Sequence, residues 1–169
     1  MAKRKWLAID LDGTVADCDH RLGYILDMET RKKLPSRERD YNMFYKNSFL
    51  DEPIYHMIKM IKDHAIEHDA KLVFITGRPE RMKGDSLSWI AKHINPAVMS
   101  GDLFMRKEND YRPDGVVKGE LMYCAMECMG MEEPVVAYDD RDTVLRVWNK
   151  MLEKTHVIDS RTGVKYERN

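Results

Sequence analysis

The chain of 169 residues is poor in several features that would set it apart from ordinary soluble globular proteins. Cysteine is scarce: Cys18, Cys124 and Cys128 make an odd count with no Cys-x-x-Cys pair. That pattern fits reduced thiols better than a disulfide framework or a thiolate zinc site. No apolar run is long enough to span a membrane. The start, Met1-Ala2-Lys3-Arg4-Lys5, is basic but is not followed by an apolar core of signal-peptide length, so a soluble, cytoplasmic protein is expected. An excess of one charge is also missing, with 28 basic residues against 29 acidic ones and six histidines. No global field draws a polyanion, and any nucleic-acid contact must be local. Internal repeats and low-complexity segments are absent as well.

The length suits one domain with a substantial core and room for a small appended lobe, but not two ordinary domains. Short apolar strands alternate with amphipathic helices, the pattern of a doubly wound, mainly parallel α/β sheet. Strands are expected at 5–10 and 72–76, with weaker candidates at 103–106, 135–139 and 155–158. Asp51-Glu52-Pro53 reads as a helix start with Asp51 as N-cap, followed by Ile54, Met57, Ile58, Ile61 and Ala65 on one buried face. Further helices are expected at about 80–94, 115–130 and 141–152, the last with Val144, Leu145, Trp148, Met151 and Leu152 as its apolar stripe. Met122, Met126 and Met129 recur at helical spacing as core filling. Residues 17–50 are polar, break this alternation and carry the aromatic cluster Tyr41, Phe44, Tyr45 and Phe49. They read as a small helical cap over the mouth of a site. The end, from about 159, reads as a tail or a hairpin around Gly163.

The most telling stretch is Asp10-Leu11-Asp12-Gly13-Thr14-Val15, which follows the unbroken apolar run Trp6-Leu7-Ala8-Ile9. A fully apolar strand is buried on both faces of a parallel sheet, and open α/β sheets bind ligands at the carboxyl ends of their strands. Three more groups fall at strand ends or helix starts on the same edge: Thr76-Gly77-Arg78, Lys118 and Asp139-Asp140-Arg141. Phosphoryl transfer needs a nucleophile, a proton donor for the departing oxygen, positive charge on the equatorial oxygens and a metal that screens carboxylate from phosphate. Mg²⁺ wants hard oxygen ligands, which Asp10, the Asp12 carbonyl and Asp139 or Asp140 could provide. Singly, each group has a plain structural alternative. Asp10 to Thr14 could be a turn or a calcium-type loop, Arg78 a surface residue, Lys118 a solvated helix position, and Asp139-Asp140 a helix cap.

Taken in order, the four groups resemble the motifs of the haloacid-dehalogenase-like phosphatases, over about residues 5–152. The resemblance implies a Rossmann-like fold with a small cap and an aspartyl-phosphate mechanism. Asp10 would be the nucleophile and Asp12 the acid that protonates the leaving alkoxide and then activates water. Thr76 would bind a phosphoryl oxygen, Lys118 would neutralise nucleophile and phosphate, and Asp139 and Asp140 would hold Mg²⁺. Within that class the chain is similar to the phosphatase domains of phage-type polynucleotide kinases, which remove 3′-phosphates from nucleic-acid ends. The matching stretches are Ile9 to Ala16, Thr76-Gly77-Arg78, Asp110 to Lys118 and Ala137 to Arg141. This likeness implies that Gly77, Arg78, Arg112 and Arg141 are substrate contacts, and that the substrate is a phosphorylated nucleic-acid end. A nucleoside monophosphate or another small metabolite is the alternative. No Gly-x-x-x-x-Gly-Lys-Ser/Thr loop occurs, so a kinase half is missing from these residues.

Other features favour plainer roles. His64 and His68 lie four apart on a helix with no evident third metal ligand. His20-Arg21 would hang over the nucleophile if the chain enters a cap there. Tyr41, Phe44 and Tyr45 have the spacing of a cap helix packing on the main domain, with base stacking as the rival.

Overall fold

The strand that begins the chain sits where its composition requires, at the centre of a sheet covered on both faces. The computed structural model describes residues 4–167; Met1, Ala2 and Lys3 of the basic start and residues 168 and 169 lie outside the described residues. In chain order the elements are β1 (Lys5–Ile9), β2 (Ala16–Asp17), α1 (Tyr41–Lys46), β3 (Glu52–Pro53), α2 (Tyr55–His68), β4 (Ala70–Pro79), α3 (Lys83–His93), β5 (Leu103–Arg106), α4 (Asp114–Met129), β6 (Val136–Asp139), α5 (Asp142–Met151), β7 (His156–Asp159) and β8 (Val164–Lys165). The main sheet has the order β5-β4-β1-β6-β7-β8; the first five strands run parallel, and β8 returns antiparallel from β7 through a turn with Gly163 at φ 69°. After β1 the chain builds outward on one side, through β4 and β5, and then crosses to β6 on the other. The order therefore reverses at the carboxyl end of β1, the switch point where such sheets bind ligands.

Alternation along β1 divides the core. Leu7 and Ile9 pack with Met57, Ile58 and Ile61 of α2 and with Trp89 and Ile90 of α3. Trp6 and Ala8 face the opposite layer, with Met122 and Ala125 of α4 and Val144, Leu145 and Trp148 of α5. Helices α4 and α5 approach closely because Gly115 faces the Thr143 carbonyl: a Cβ on Gly115 would lie 2.8 Å from that oxygen.

The strands expected at 5–10, 103–106, 135–139 and 155–158 appear as β1, β5, β6 and β7. Strand β4 outruns 72–76 because the backbone stays extended through Thr76-Gly77-Arg78-Pro79 and rejoins β5 past a register shift between Thr76 and Pro79. Asp51 is not the N-cap of α2. The helix begins at Tyr55 with Ile54 in the cap position, while Glu52 and Pro53 pair antiparallel with Asp17 and Ala16. The Asp51 carboxylate is instead occupied by arginines at the centre of the protein. Residues 17–50 add no strand to the main sheet and carry three 3₁₀ turns and the single short α-helix α1 between irregular segments.

Two glycine substitutions should act with opposite sign. Gly115→Ala forces a methyl onto fixed backbone and should lower stability by about 1–3 kcal/mol, as overpacking does. Gly84→Ala, in α3 where a Cβ meets nothing within 4 Å, should raise stability by about 0.4–1 kcal/mol. Urea unfolding of both variants at one temperature checks the signs.

Candidate active site

Directly after β1, the Asp10 amide donates to the Tyr138 carbonyl of β6 at 3.0 Å, which fixes the start of the loop between two parallel strands. The turn that follows requires Gly13, at φ 79°, where a Cβ would lie 2.2 Å from Asp140 Oδ2. This close approach brings the loop after β1 against the acid pair at the end of β6. Thr14 Oγ1 donates to Asp10 Oδ2 at 3.3 Å and also pairs with Ser160 Oγ at 3.0 Å, anchoring the loop to the segment after β7.

Lys118, on the buried side of α4, places Nζ 2.7 Å from Asp10 Oδ1 and 2.7 Å from Asp139 Oδ2. Trp148 Nε1 donates to the Lys118 carbonyl at 3.2 Å and ties this turn of α4 to α5. Burial opposes a charged Lys118, but Asp10 and Asp139 overcome it and hold the ammonium charged well beyond the usual range. Burial raises the carboxyls of Asp10 and Asp139 despite Lys118. Asp140 is pushed up to about 6 by burial and by Asp10.

Ligand oxygens of Asp10, Asp139 and Asp140 lie within 4.8 Å of one another, the one such group of three or more ligating side chains among the described residues. Asp140 Oδ1 is buried with no hydrogen-bond partner. A hard cation with oxygen ligands fits these residues, since it would satisfy that oxygen and relieve the crowding of the three carboxylates.

Asp12 belongs to a different network. Its Oδ1 accepts from Arg21 Nη2 and from Arg78 Nη2, both at 2.5 Å, and Arg78 Nε lies 3.0 Å away. Burial alone would raise this carboxyl; the guanidiniums of Arg78 and Arg21 reverse that and hold it well below the ordinary carboxylate range. Both arginines also bond to Asp51.

A small polar cavity of about 30 Å³ opens at this edge, lined by Asp10, Asp12, Thr76, Gly77, Lys118 and Arg141, with Asp114 and, from the insertion, Phe44 and Tyr45. Two expected substrate contacts fall elsewhere. Arg78 is 1% exposed, held by Asp12 and Asp51 rather than open to a ligand. Arg112 lies outside the cavity, half exposed, with its guanidinium shared by Asp110 and Glu120. Arg106 and Asp114 are central where the sequence reading gave them no role: Asp114 takes ion pairs from both Arg106 and Arg141, and Arg106 Nε donates to the Gly77 carbonyl at 3.0 Å. Asp114 stands one helical turn before Lys118, a spacing that puts both on one face, and Arg106 ends a strand at the ligand edge. Both signals were present. Asp51 gave none, because its partners are remote in sequence. His64 bonds to the Tyr138 hydroxyl rather than to a metal-binding partner.

A mainly parallel sheet with a carboxylate pair after its central strand, a buried lysine and an acid pair on the neighbouring strand defines a haloacid-dehalogenase-like phosphatase. More narrowly, the family model described as the polynucleotide kinase PNKP phosphatase domain matches residues 4–160, and the chain belongs to that family. A protein of Autographa californica nuclear polyhedrosis virus, assigned as a bifunctional polynucleotide kinase/RNA ligase, is 30% identical over 142 residues, covering 84% of this chain and 17% of the viral protein. The Pnkp1/Rnl/Hen1 RNA repair complex contains a chain with the same fold, at a TM-score of 0.64 and 24% identity over 94% of this chain and 42% of that one. The class C acid phosphatase of Bacillus anthracis, with tungstate bound, also shares the fold, at a TM-score of 0.56 and 15% identity over 83% of this chain and 53% of that one. The chain thus spans less than half the length of the viral relative and of the repair-complex chain. Among the described residues no helix is long and apolar enough to cross a membrane.

The raised carboxyls give a signed pH dependence. With Asp140 shifted from 3.8 to about 6, the folded protein keeps a proton that the unfolded chain has released. The stability linked to this group is full below about pH 4 and lost as pH rises through about 6. Scanning calorimetry of metal-free protein should show that loss relative to Asp140→Asn. A slope equal to that of the variant would refute the shift.

Proposed function

We propose that the protein is a Mg²⁺-dependent phosphomonoesterase that works through an aspartyl-phosphate on Asp10 and removes 3′-phosphates from polynucleotide ends. The observation that carries this reading is the buried pair of Asp10 and Lys118 at 2.7 Å, lining the same cavity as Thr76 and Gly77. A carboxylate that attacks a phosphate needs its own charge screened while an oxygen stays open to the phosphorus. Lys118 meets the first need and the cavity meets the second.

Asp10 attacks the phosphorus, and the new P–O bond forms as the bond to the leaving alkoxide breaks. Asp12 hands a proton to that alkoxide, then takes one from the water that hydrolyses the aspartyl-phosphate and passes it to the departing phosphate, so Asp10 and Asp12 are both carboxylates again. The Thr76 hydroxyl, the Gly77 main chain and Arg141 hold the phosphoryl oxygens. Asp10, Asp139 and Asp140, with the Asp12 carbonyl, are the residues that would hold Mg²⁺, which when bound supplies positive charge between carboxylate and phosphate. Because its two arginines keep Asp12 anionic at rest, the first proton arrives with the substrate, a phosphomonoester whose second pKa is about 6.

The family and the polynucleotide-processing names of the relatives support a nucleic-acid end as substrate. The cavity is small enough to take the phosphoryl group while the rest of the substrate lies outside it. The near-neutral chain, net charge −1, favours a second reading, a nucleoside monophosphate or other small metabolite, since polynucleotide affinity leans on several basic phosphate contacts.

Asp10→Asn should abolish turnover of every phosphomonoester without unfolding the protein, and chelation should silence the wild type until Mg²⁺ is returned. A rate comparison on 3′-phosphorylated oligonucleotides, 5′-phosphorylated oligonucleotides and mononucleotides decides the substrate; a clear preference for mononucleotides overturns the first choice. For the favoured substrate, kcat/KM should fall as pH rises above about 6, where the phosphate has lost its proton. A flat profile to pH 8 would contradict that proton route.

A further inference from the structure

Arg21 from the insertion and Arg78 from the end of β4 converge on one carboxylate oxygen, each with Nη2 2.5 Å from Asp12 Oδ1. Both side chains are buried, at 0% and 1% exposure. Two buried cations on one carboxylate would leave an uncompensated charge, which proteins avoid because desolvating an unpaired ion is costly. Asp51 supplies the missing anion. It accepts from Arg21 Nε at Oδ1 and from Arg21 Nη2 at Oδ2, both at 2.7 Å, and Oδ2 also accepts from Arg78 Nη2 at 2.9 Å. The Asp51 carbonyl accepts from Trp89 Nε1 at 2.8 Å, and His20 Nε2 lies 2.9 Å from Oδ1. The residue is therefore held from α3 through its main-chain carbonyl and from the insertion and the end of β4 through its carboxylate, and Asp51 itself does not line the cavity.

We propose that Asp51 is a positioning residue: by clamping Arg21 and Arg78 side by side it fixes the Asp12 carboxylate where the leaving oxygen departs. This rests on the reading of Asp12 as the group that serves the leaving group. Its bidentate fork to Arg21 sets the plane of one guanidinium, and the same carboxylate limits where the second can lie. A residue that merely sealed the seam between insertion and sheet would slow all substrates alike. One that aligns the acid matters only when the leaving group needs a proton.

The test compares Asp51→Asn and Asp51→Ser with wild type in the first turnover, at saturating enzyme, so that neither binding nor hydrolysis of the intermediate enters. One substrate is a 3′-phosphorylated oligonucleotide, whose alkoxide must be protonated; the other is dinitrophenyl phosphate, whose phenolate leaves unaided. The expected result is a loss of about 10²-fold on the oligonucleotide and of less than about tenfold on the aryl ester, within the range of general acid catalysis. Asp12→Asn is run beside them and should show the same split. If Asp12→Asn splits but the Asp51 variants slow both substrates equally, or neither, the positioning role is overturned alone. If Asp12→Asn shows no split, the underlying reading of Asp12 fails with it. Failure of both Asp51 variants to fold, judged by thermal unfolding, also counts against a role separable from structure.

Discussion

One buried ammonium organises the ligand edge of this protein. Lys118 Nζ sits 2.7 Å from carboxylates on two different segments, Asp10 after β1 and Asp139 at the end of β6. Three carboxyls gathered in a dry region repel one another and resist ionisation, and without a central cation the loops that carry them would separate. The requirement extends outward. To bring Nζ to that point, α4 must lie close over the sheet, which sets the tight approach of Gly115 to Thr143 and the anchoring of the Lys118 carbonyl by Trp148. The packing of Gly115, one turn before Lys118, against α5 thereby becomes a condition for the charge arrangement beside it.

The two aspartates of the opening motif, only two residues apart, live in opposite electrostatic surroundings. Asp10 faces an ammonium and other carboxylates and is raised; Asp12 faces two guanidiniums and is depressed. On the proposed mechanism this separation is a division of chemical labour between the two carboxylates. Here the division follows from chain direction, since the tight turn through Gly13 aims the Asp10 side chain toward β6 and α4 while Asp12 meets the insertion and the end of β4. The insertion contributes Arg21 to the surroundings of Asp12 and Phe44 and Tyr45 to the cavity wall, so it borders the cavity although it adds almost nothing to the sheet.

Much of this was legible beforehand, for identifiable reasons. Residues Trp6 to Ile9 announce a doubly covered strand because no polar side chain interrupts them, and the alternation of strand and helix fixes the layers. Asp10, Asp12, Thr76, Lys118, Asp139 and Asp140 could be picked out because each sits at a strand end or helix start, places local patterning can find. Arg78 and Arg112 read as phosphate ligands because a guanidinium near a phosphate site looks like one in sequence, whereas the carboxylates each meets in the fold, Asp12 and Asp51 or Asp110 and Glu120, depend on which lie nearest in space. Asp51 misled in the opposite way: before Pro53 it has the form of a helix cap, and only the fold brings Arg21 and Arg78 to it.

Residue type and spacing along the chain suffice for the sheet, the order of its motifs and the class of chemistry, because each depends on local pattern alone. Tertiary structure alone decided which charges meet. Ion pairing among Asp12, Asp51, Arg21 and Arg78 joins residues separated by up to 66 positions. Coulomb interactions and hydrogen bonds act over a few ångströms of space and carry no trace in sequence separation, so the distinction between Asp10, paired with an ammonium, and Asp12, clamped by two guanidiniums, exists only once the chain has folded.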